Sequence, residues 1–171
     1  MYKGQCPPNS LPHTVRHECS QNSWNLWSDM ISTLSHSTPI RSLLCLIIKN
    51  EQQHLLELIA HHSLIGFDKI VIYDNESDDG TAEVIESAAD YFPVERVIWR
   101  NDREPVPGLT QQVAAYTHCI AEWRNKTDWI CFLDGNEFLI PPTGSTLADL
   151  LDRHASQDAF AINWMTFGSS N

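Results

Sequence analysis

Continuous apolar runs of strand length alternate along this chain with segments whose apolar residues recur every three or four positions. "SLLCLII" (42–48) is one such run, and "EQQHLLELIAHHSLIG" then shifts to helical spacing, with Leu55, Leu58, Ile59, His62 and Ile65 on one face and Gly66 as the C-terminal stop. "DKIVIYD" (68–74) predicts a second buried strand, the turn "NESDDG" follows, and Thr81 caps a helix over "TAEVIESAADYF". "VERVIW" predicts a third strand, "GLTQQVAAYTHCIAEW" a helix and "DWICFLD" a fourth strand. "GSTLADLLDRHA" predicts a short helix capped by Ser145 or Thr146, and "AFAINWMTF" a fifth strand. Strands alternating with helices predict an α/β fold, a mainly parallel sheet with helices on both faces.

Residues 1–39 break this rhythm. They are rich in Pro, Ser, Asn and His, with only "WNLW" and a "DMISTL" that could form a short helix, and are expected to form a loosely ordered leader. The alternating pattern from residue 40 to residue 171 predicts one domain. A length of 171 residues with 42% hydrophobic residues suits a single core.

Composition narrows the partners. Eleven Lys and Arg against twenty-two Asp and Glu give a formal charge of -11, which argues against a nucleic acid or anionic membrane held through a broad basic face. A cation or a metal-bridged anion suits this balance better. Five cysteines is an odd number, and Cys45, Cys119 and Cys131 sit in apolar runs, as buried free thiols do. That usage predicts a reducing, cytoplasmic setting, with a membrane-peripheral or Golgi location as the alternative. Neither a signal-like N-terminus nor a membrane-length apolar run stands in these residues, so the chain as given is expected to be soluble.

Candidate chemistry sits where strands end. In doubly wound sheets ligands bind at the carboxyl ends of strands. Two acidic clusters fall there, at 74–79 after the second strand and 134–137 after the fourth, so the two loops are expected to converge on one crevice. In "LDGNEFL", Asp134, Asn136 and Glu137 place hard oxygen donors where Mg²⁺ or Mn²⁺ could be held with positions left for a diphosphate. The plainer alternative is an acidic turn that ends a strand, although polar oxygens wedged between "ICFL" and "FLI" are unusual for one. "YDNESDDGT" offers Asp74 or Asp79 to N–H or hydroxyl groups of a base or ribose. Asn75, Ser77, Asp79, Gly80 and Glu86 mimic calcium-loop spacing, but Asn stands first and a strand precedes where a helix is required.

Other chemistries lack their residues. His61 and His62 are adjacent on a helix, so their side chains are expected to diverge toward solvent or core rather than share a metal. Neither C-x-x-C nor H-E-x-x-H occurs, nor a serine elbow or a phosphate loop.

Read in order, "IIKNEQQHLLELIAHHSLIGFDKIVIYDNESDDGT", "QQVAAYTHC", "DWICFLDGNEFLIP" and "FAINWMTFGSSN" together resemble the glycosyltransferase family 2 superfamily, of the family 92 type. The resemblance covers about residues 42–171 and implies a GT-A fold, Rossmann-like, binding a nucleoside diphosphate sugar of the UDP or GDP type with Mn²⁺ or Mg²⁺. It places Asn50 and Glu51 beside the nucleotide, Asp74 as reader of the base, Ser77 and Asp79 in the shaping loop, and Gln112 with the same ligand. Glu57 and His62 match the family's E-W-x-x-Y-H pattern, with Leu58 and His61 in place of its aromatics. Asp134 and Asn136 occupy the ends of its D-x-D motif, followed by Glu137 and Phe138 as its E-F.

The implied reaction is sugar transfer to an acceptor hydroxyl, on a glycan or lipid, with inversion. Asn136 stands where Asp is usual, removing one charge from the metal site. The general base is expected beyond Asn171, which makes this chain the donor half of a truncated domain. An inactive nucleotide-sugar-binding fragment is the first alternative. A magnesium phosphohydrolase is the second, though no Lys follows Asp134 to serve it.

Overall fold

The computed structural model describes residues 40–100 and 110–166, all within the compact unit Pro39–Asn171. The expected leader lies outside the described residues, as does the "FGSSN" end. Strands β1 (Ile40–Ile48), β2 (Lys69–Asp74), β3 (Val94–Ile98) and β4 (Thr127–Phe132) alternate with helices α1 (Leu55–Ile65), α2 (Thr81–Ala88), α3 (Gln111–Trp123) and α4 (Leu147–Arg153). The sheet runs β3-β2-β1-β4, and every pairing is parallel. The fold is therefore α/β with a parallel sheet, as its alternating pattern predicts.

β1 explains the rest. It pairs on both edges, with Leu44 opposite Ile70 in β2 and Cys131 in β4, and Leu43 to Leu46 are fully buried. A strand covered on both faces must be apolar at every position, which is why "LLCLII" shows no alternation. Leu44, Leu46 and Ile48 pack with Ile70 and Ile72 against Leu55, Leu58 and Ile59 of α1, Ile85 of α2, and Leu147 and Leu151 of α4. On the other face Leu43, Cys45, Val71 and Tyr73 pack against Ala115 and Cys119 of α3 and against Trp99. Cys45, Cys119 and Cys131 are free thiols within these layers. The buried Tyr73 ends its hydroxyl on His118 Nδ1, 2.9 Å away.

The chain travels from β1 to β2 to β3, then returns through α3 to place β4 on the opposite edge of β1. With a fixed handedness of crossover, reversing the direction of travel puts the connecting helix on the other face, as observed for α3. The strand order thus reverses between β1 and β4. In open parallel sheets a crevice opens at the carboxyl ends of the strands at such a point.

Local stops agree with residue chemistry. Gly66 takes φ 110°, where side chains are strained; its N–H reaches Ser63 O while Phe67 N–H reaches His62 O, closing α1. Thr146 and Asp149 exchange hydrogen bonds as a capping box at the start of α4.

Three expectations are corrected. Among the described residues there is no fifth strand: 159–166 run unpaired, with Phe160 against Trp129 and His154 while Ile162, Trp164 and Met165 face solvent. Strand-forming residues need a neighbouring edge, and none reaches this segment. Thr81 is not a cap but the first residue of α2; Gly80 precedes it, and the buried Thr81 hydroxyl accepts the Glu51 N–H at 2.9 Å. The helix ends at Ala88 rather than Phe92, because the residue before Pro93 is driven out of the helical region.

Candidate functional site

Three loops meet at the carboxyl rim: 49–54 after β1, 75–80 after β2 and 133–139 after β4. β1 stands between β2 and β4 in a parallel sheet, so the two acidic clusters share that rim, as the sequence predicts. Their residues do different work.

The first two loops are sewn together. Backbone N–H groups just past a strand have no ladder partner, and short oxygen-bearing side chains satisfy them here. Asn50, at φ 59°, donates its backbone N–H to Ser77 Oγ (3.0 Å), and its amide exchanges hydrogen bonds with Asp78, Nδ2 to Oδ1 at 2.7 Å and Asp78 N–H to Oδ1 of Asn50 at 2.9 Å. Gln52 N–H reaches Asp79 Oδ2 (3.3 Å), and Gln52 Oε1 accepts from Gly80 N–H (3.1 Å). Asp79 Oδ1 also takes the first N–H of α2, from Thr81, and hydrogen bonds from Thr81 hold this carboxyl below its usual range. Asn50, Ser77 and Asp79 thus lie together, with each side chain engaged in this seam.

Asp74 lies beneath the seam and is 1% exposed. Its Oδ1 accepts the Ser77 N–H (3.0 Å), while Oδ2 accepts from Arg96 Nε (2.9 Å) and Nη2 (2.6 Å). Burial opposes its ionisation, but Ser77 and the Arg96 guanidinium outweigh that and keep the pKa below the ordinary carboxylate value. Arg96 in turn holds Glu86 at 2.9 Å. The sequence reading passed over Arg96; a lone cation in "VERVI", one strand away from a strand ending in Asp, was the available signal.

The β4 loop is built differently. Glu137 N–H donates to Asp134 O (3.1 Å), and Glu137 Oε2 accepts the Asp134 N–H (3.0 Å), so Glu137 closes the turn. Asp134 is exposed: its Oδ1 accepts from Gln112 Nε2 (2.8 Å), and Oδ2 has no hydrogen-bond partner among the described residues. Gln112 also donates to Tyr116 Oη, whose hydroxyl proton goes to Leu133 O (3.2 Å). α3 therefore grips the tip of β4 through both backbone and side chain. Gly135 lies against β1, where an added Cβ would come within 2.8 Å of Ile48 Cγ2, and Asn136 is exposed beside it.

The far end of this loop is held by α1, which corrects the expectation that His61 and His62 diverge. A carbonyl oxygen only accepts, so His61 Nε2–H donates to Leu139 O (2.8 Å) and His62 Nδ1–H to Leu58 O (2.9 Å). His62 Nε2 is then a lone-pair acceptor for Leu139 N–H (3.2 Å). Both rings thus reach the backbone of Leu139, His61 at its oxygen and His62 at its nitrogen. Burial pushes the His62 pKa down to about 4.

A divalent metal can be tested against this donor set. Among the described residues no group of three or more His, Cys, Asp or Glu could hold one. Among the described residues Asp134 Oδ2, the Asn136 amide oxygen and Glu137 Oε1 remain available, while Glu137 Oε2 closes the turn and Asp134 Oδ1 takes Gln112. One oxygen from each of two carboxylates with an amide suits Mg²⁺ or Mn²⁺ that is otherwise coordinated by phosphates and water, and does not suit a metal caged by protein alone.

Residues 43–170 match the sequence profile of glycosyltransferase family 92. A glycosyltransferase family 92 protein of Ricinus communis is 30% identical over 141 residues, covering 82% of this chain and 24% of that protein. One from Oryza sativa subsp. japonica is 35% identical over 112 residues, covering 65% of this chain and 18% of that protein. The chain thus spans about a fifth to a quarter of the curated relatives it matches. Among solved structures, the crystal structure of S. aureus TarS 1-349 is similar at a TM-score of 0.49 and 18% identity, covering 67% of this chain and 33% of that one.

Two outcomes are expected from these contacts. Arg96→Met leaves a buried Asp74 carboxylate without its cation and should lower unfolding free energy by about 2–3 kcal/mol in urea titration, with much of it regained in the Asp74→Asn double variant. If the double variant is no better than the single, the pairing is not what stabilises this rim. The second concerns His62, which takes up a proton in the unfolded chain near its ordinary value of 6.5 and in the folded chain only near 4. Stability should therefore fall as pH drops through that window, by up to roughly 3 kcal/mol. Urea titrations spanning the window should show this slope, and show it reduced in His62→Gln; an unchanged slope in the variant would assign it elsewhere.

Proposed function

Because the chain belongs to glycosyltransferase family 92, we propose that its α/β domain binds a nucleoside diphosphate sugar with Mn²⁺ or Mg²⁺, in the manner of the GT-A fold of the family 2 superfamily. One observation carries this reading: an exposed Asp134 carboxylate, oriented through Oδ1 by Gln112 and with Oδ2 unpartnered among the described residues, stands at the rim where the strand order reverses between β1 and β4. Asp134 with Asn136 would hold a divalent ion that offsets the charge of a diphosphate, which fits both the acidic charge of the chain and the lack of a cluster for metal alone among the described residues.

In this proposal the seam of Asn50, Ser77 and Asp79, with Glu51 beside it, is the wall on which the nucleoside lies. Asp74 acts through Ser77 and Arg96, since its own oxygens are engaged and buried. Gln112 serves the donor by aiming Asp134. The metal supplies electrostatic stabilisation of the departing diphosphate. In the whole protein the bond from the sugar's anomeric carbon to the diphosphate breaks as an acceptor hydroxyl attacks from the opposite face, giving inversion, and a base takes the hydroxyl proton. No residue of this chain is assigned as that base. The acceptor in this proposal is a glycan or lipid hydroxyl.

A second reading, a binding module without turnover, is favoured by one observation, the amide of Asn136 where a second carboxylate would hold the metal more strongly. Calorimetry with uridine diphosphate and Mn²⁺, together with sugar-nucleotide hydrolysis, separates the two. Asp134→Ala should abolish Mn²⁺-dependent binding while shifting stability by less than about 0.5 kcal/mol, because the side chain is exposed. Asn136→Asp should tighten it. Parallel loss of binding and stability in Asp134→Ala would make the carboxylate structural.

A further inference from the structure

The backbone of Leu139 poses a problem that the donor-binding reading does not address. β4 ends at Phe132, so Leu139 has no sheet partner, yet the residue is only 4% exposed. A buried N–H and C=O must both be satisfied. The two groups that satisfy them are the imidazoles of consecutive residues on α1: His61 donates to the oxygen and His62 accepts from the nitrogen. This works because His62 spends its own proton on Leu58 O and presents a lone pair, while His61 carries its proton on Nε2. Phe138 packs with the same pair, stacked on His62 at 5.9 Å and 19° and edge-on to His61 at 5.2 Å.

We propose that His61 and His62 are positioning residues which fix the Asp134 loop by holding both backbone polar groups of Leu139. The turn from Asp134 to Glu137 is closed by two hydrogen bonds of its own, so a shift at Leu139 is passed to Asp134 rather than absorbed between them. At the near end Gln112 and Tyr116 hold Asp134 and Leu133 from α3. The loop is therefore pinned from helices on opposite faces of the sheet, and α1 governs one of the two pins. The effect on ligand affinity rests on the donor-binding reading; the effect on the loop does not.

Glutamine reaches about as far as Nε2 of histidine and can donate or accept there, whereas leucine fills the volume with no hydrogen bond. Amide hydrogen exchange is the direct readout, because Asp134 and Glu137 amides touch neither histidine. In His62→Leu, exchange at Leu139, Asp134 and Glu137 should accelerate about tenfold or more, with Leu44 and Ile72 in the sheet unchanged, and His62→Gln should restore it. Faster exchange at Leu139 alone, or no recovery with glutamine, would reduce the histidines to packing and overturn the proposal. Should His62→Leu not fold, the half-buried His61 gives the same comparison through His61→Leu and His61→Gln.

Affinity for uridine diphosphate with Mn²⁺ should fall about tenfold in the leucine variants and recover in the glutamine variants, the scale expected when support of a metal ligand is lost. If the unaltered protein binds no nucleotide, the donor reading fails, and hydrogen exchange still decides the role of the histidine pair.

Discussion

Burial of β1 on both faces and both edges is the constraint from which this molecule follows. A strand with no exposed side has only its ends in contact with water, and its carboxyl end is where the chain must supply polar groups for backbone N–H donors that have left the ladder. The neighbours of β1 then decide what that rim can do. β2 brings a loop whose oxygens are used to sew it to the β1 loop, and β4, arriving from the other direction of travel, brings one whose leading carboxylate is left open.

The contrast between these two acidic clusters is physical rather than compositional. Asn50, Ser77 and Asp79 accept backbone N–H groups, and Asp78 accepts the Asn50 side-chain amide, so each is spent within the seam. Asp134 faces a single amide from α3, which takes one oxygen and leaves the other. Membership of glycosyltransferase family 92 gives the open oxygen a chemical context. The proposed division of labour has one loop as wall and another as the point of attachment for a metal-bridged diphosphate.

Much of the fold was legible in the chain because its signals are local or periodic. Unbroken apolar runs announced strands buried on both faces, Gly66 and Thr146 announced helix ends, and apolar surroundings announced the thiols of Cys45 and Cys119. The convergence of two strand-end loops followed from the parallel topology. What escaped depends on partners distant in sequence. Thr81 resembled a cap until the Glu51 N–H claimed its hydroxyl. His61 and His62 looked divergent by helix geometry alone, since nothing local reveals that both bond the backbone of Leu139. The segment 159–166 carries strand residues but has no edge to join among the described residues, and propensity does not create one. Arg96 was overlooked because its meaning lies on the next strand, at Asp74.

The central claim is that a divalent ion and a nucleoside diphosphate meet at the β1–β4 end of the carboxyl rim. Paramagnetic broadening of backbone amide resonances by Mn²⁺, recorded with and without uridine diphosphate, locates that ion directly. The account predicts broadening that requires the nucleotide and centres on Gly135, Asn136 and the 49–51 loop. Broadening centred instead on Asp68 and Thr127 at the amino ends of the strands, or indifferent to the nucleotide, would contradict it.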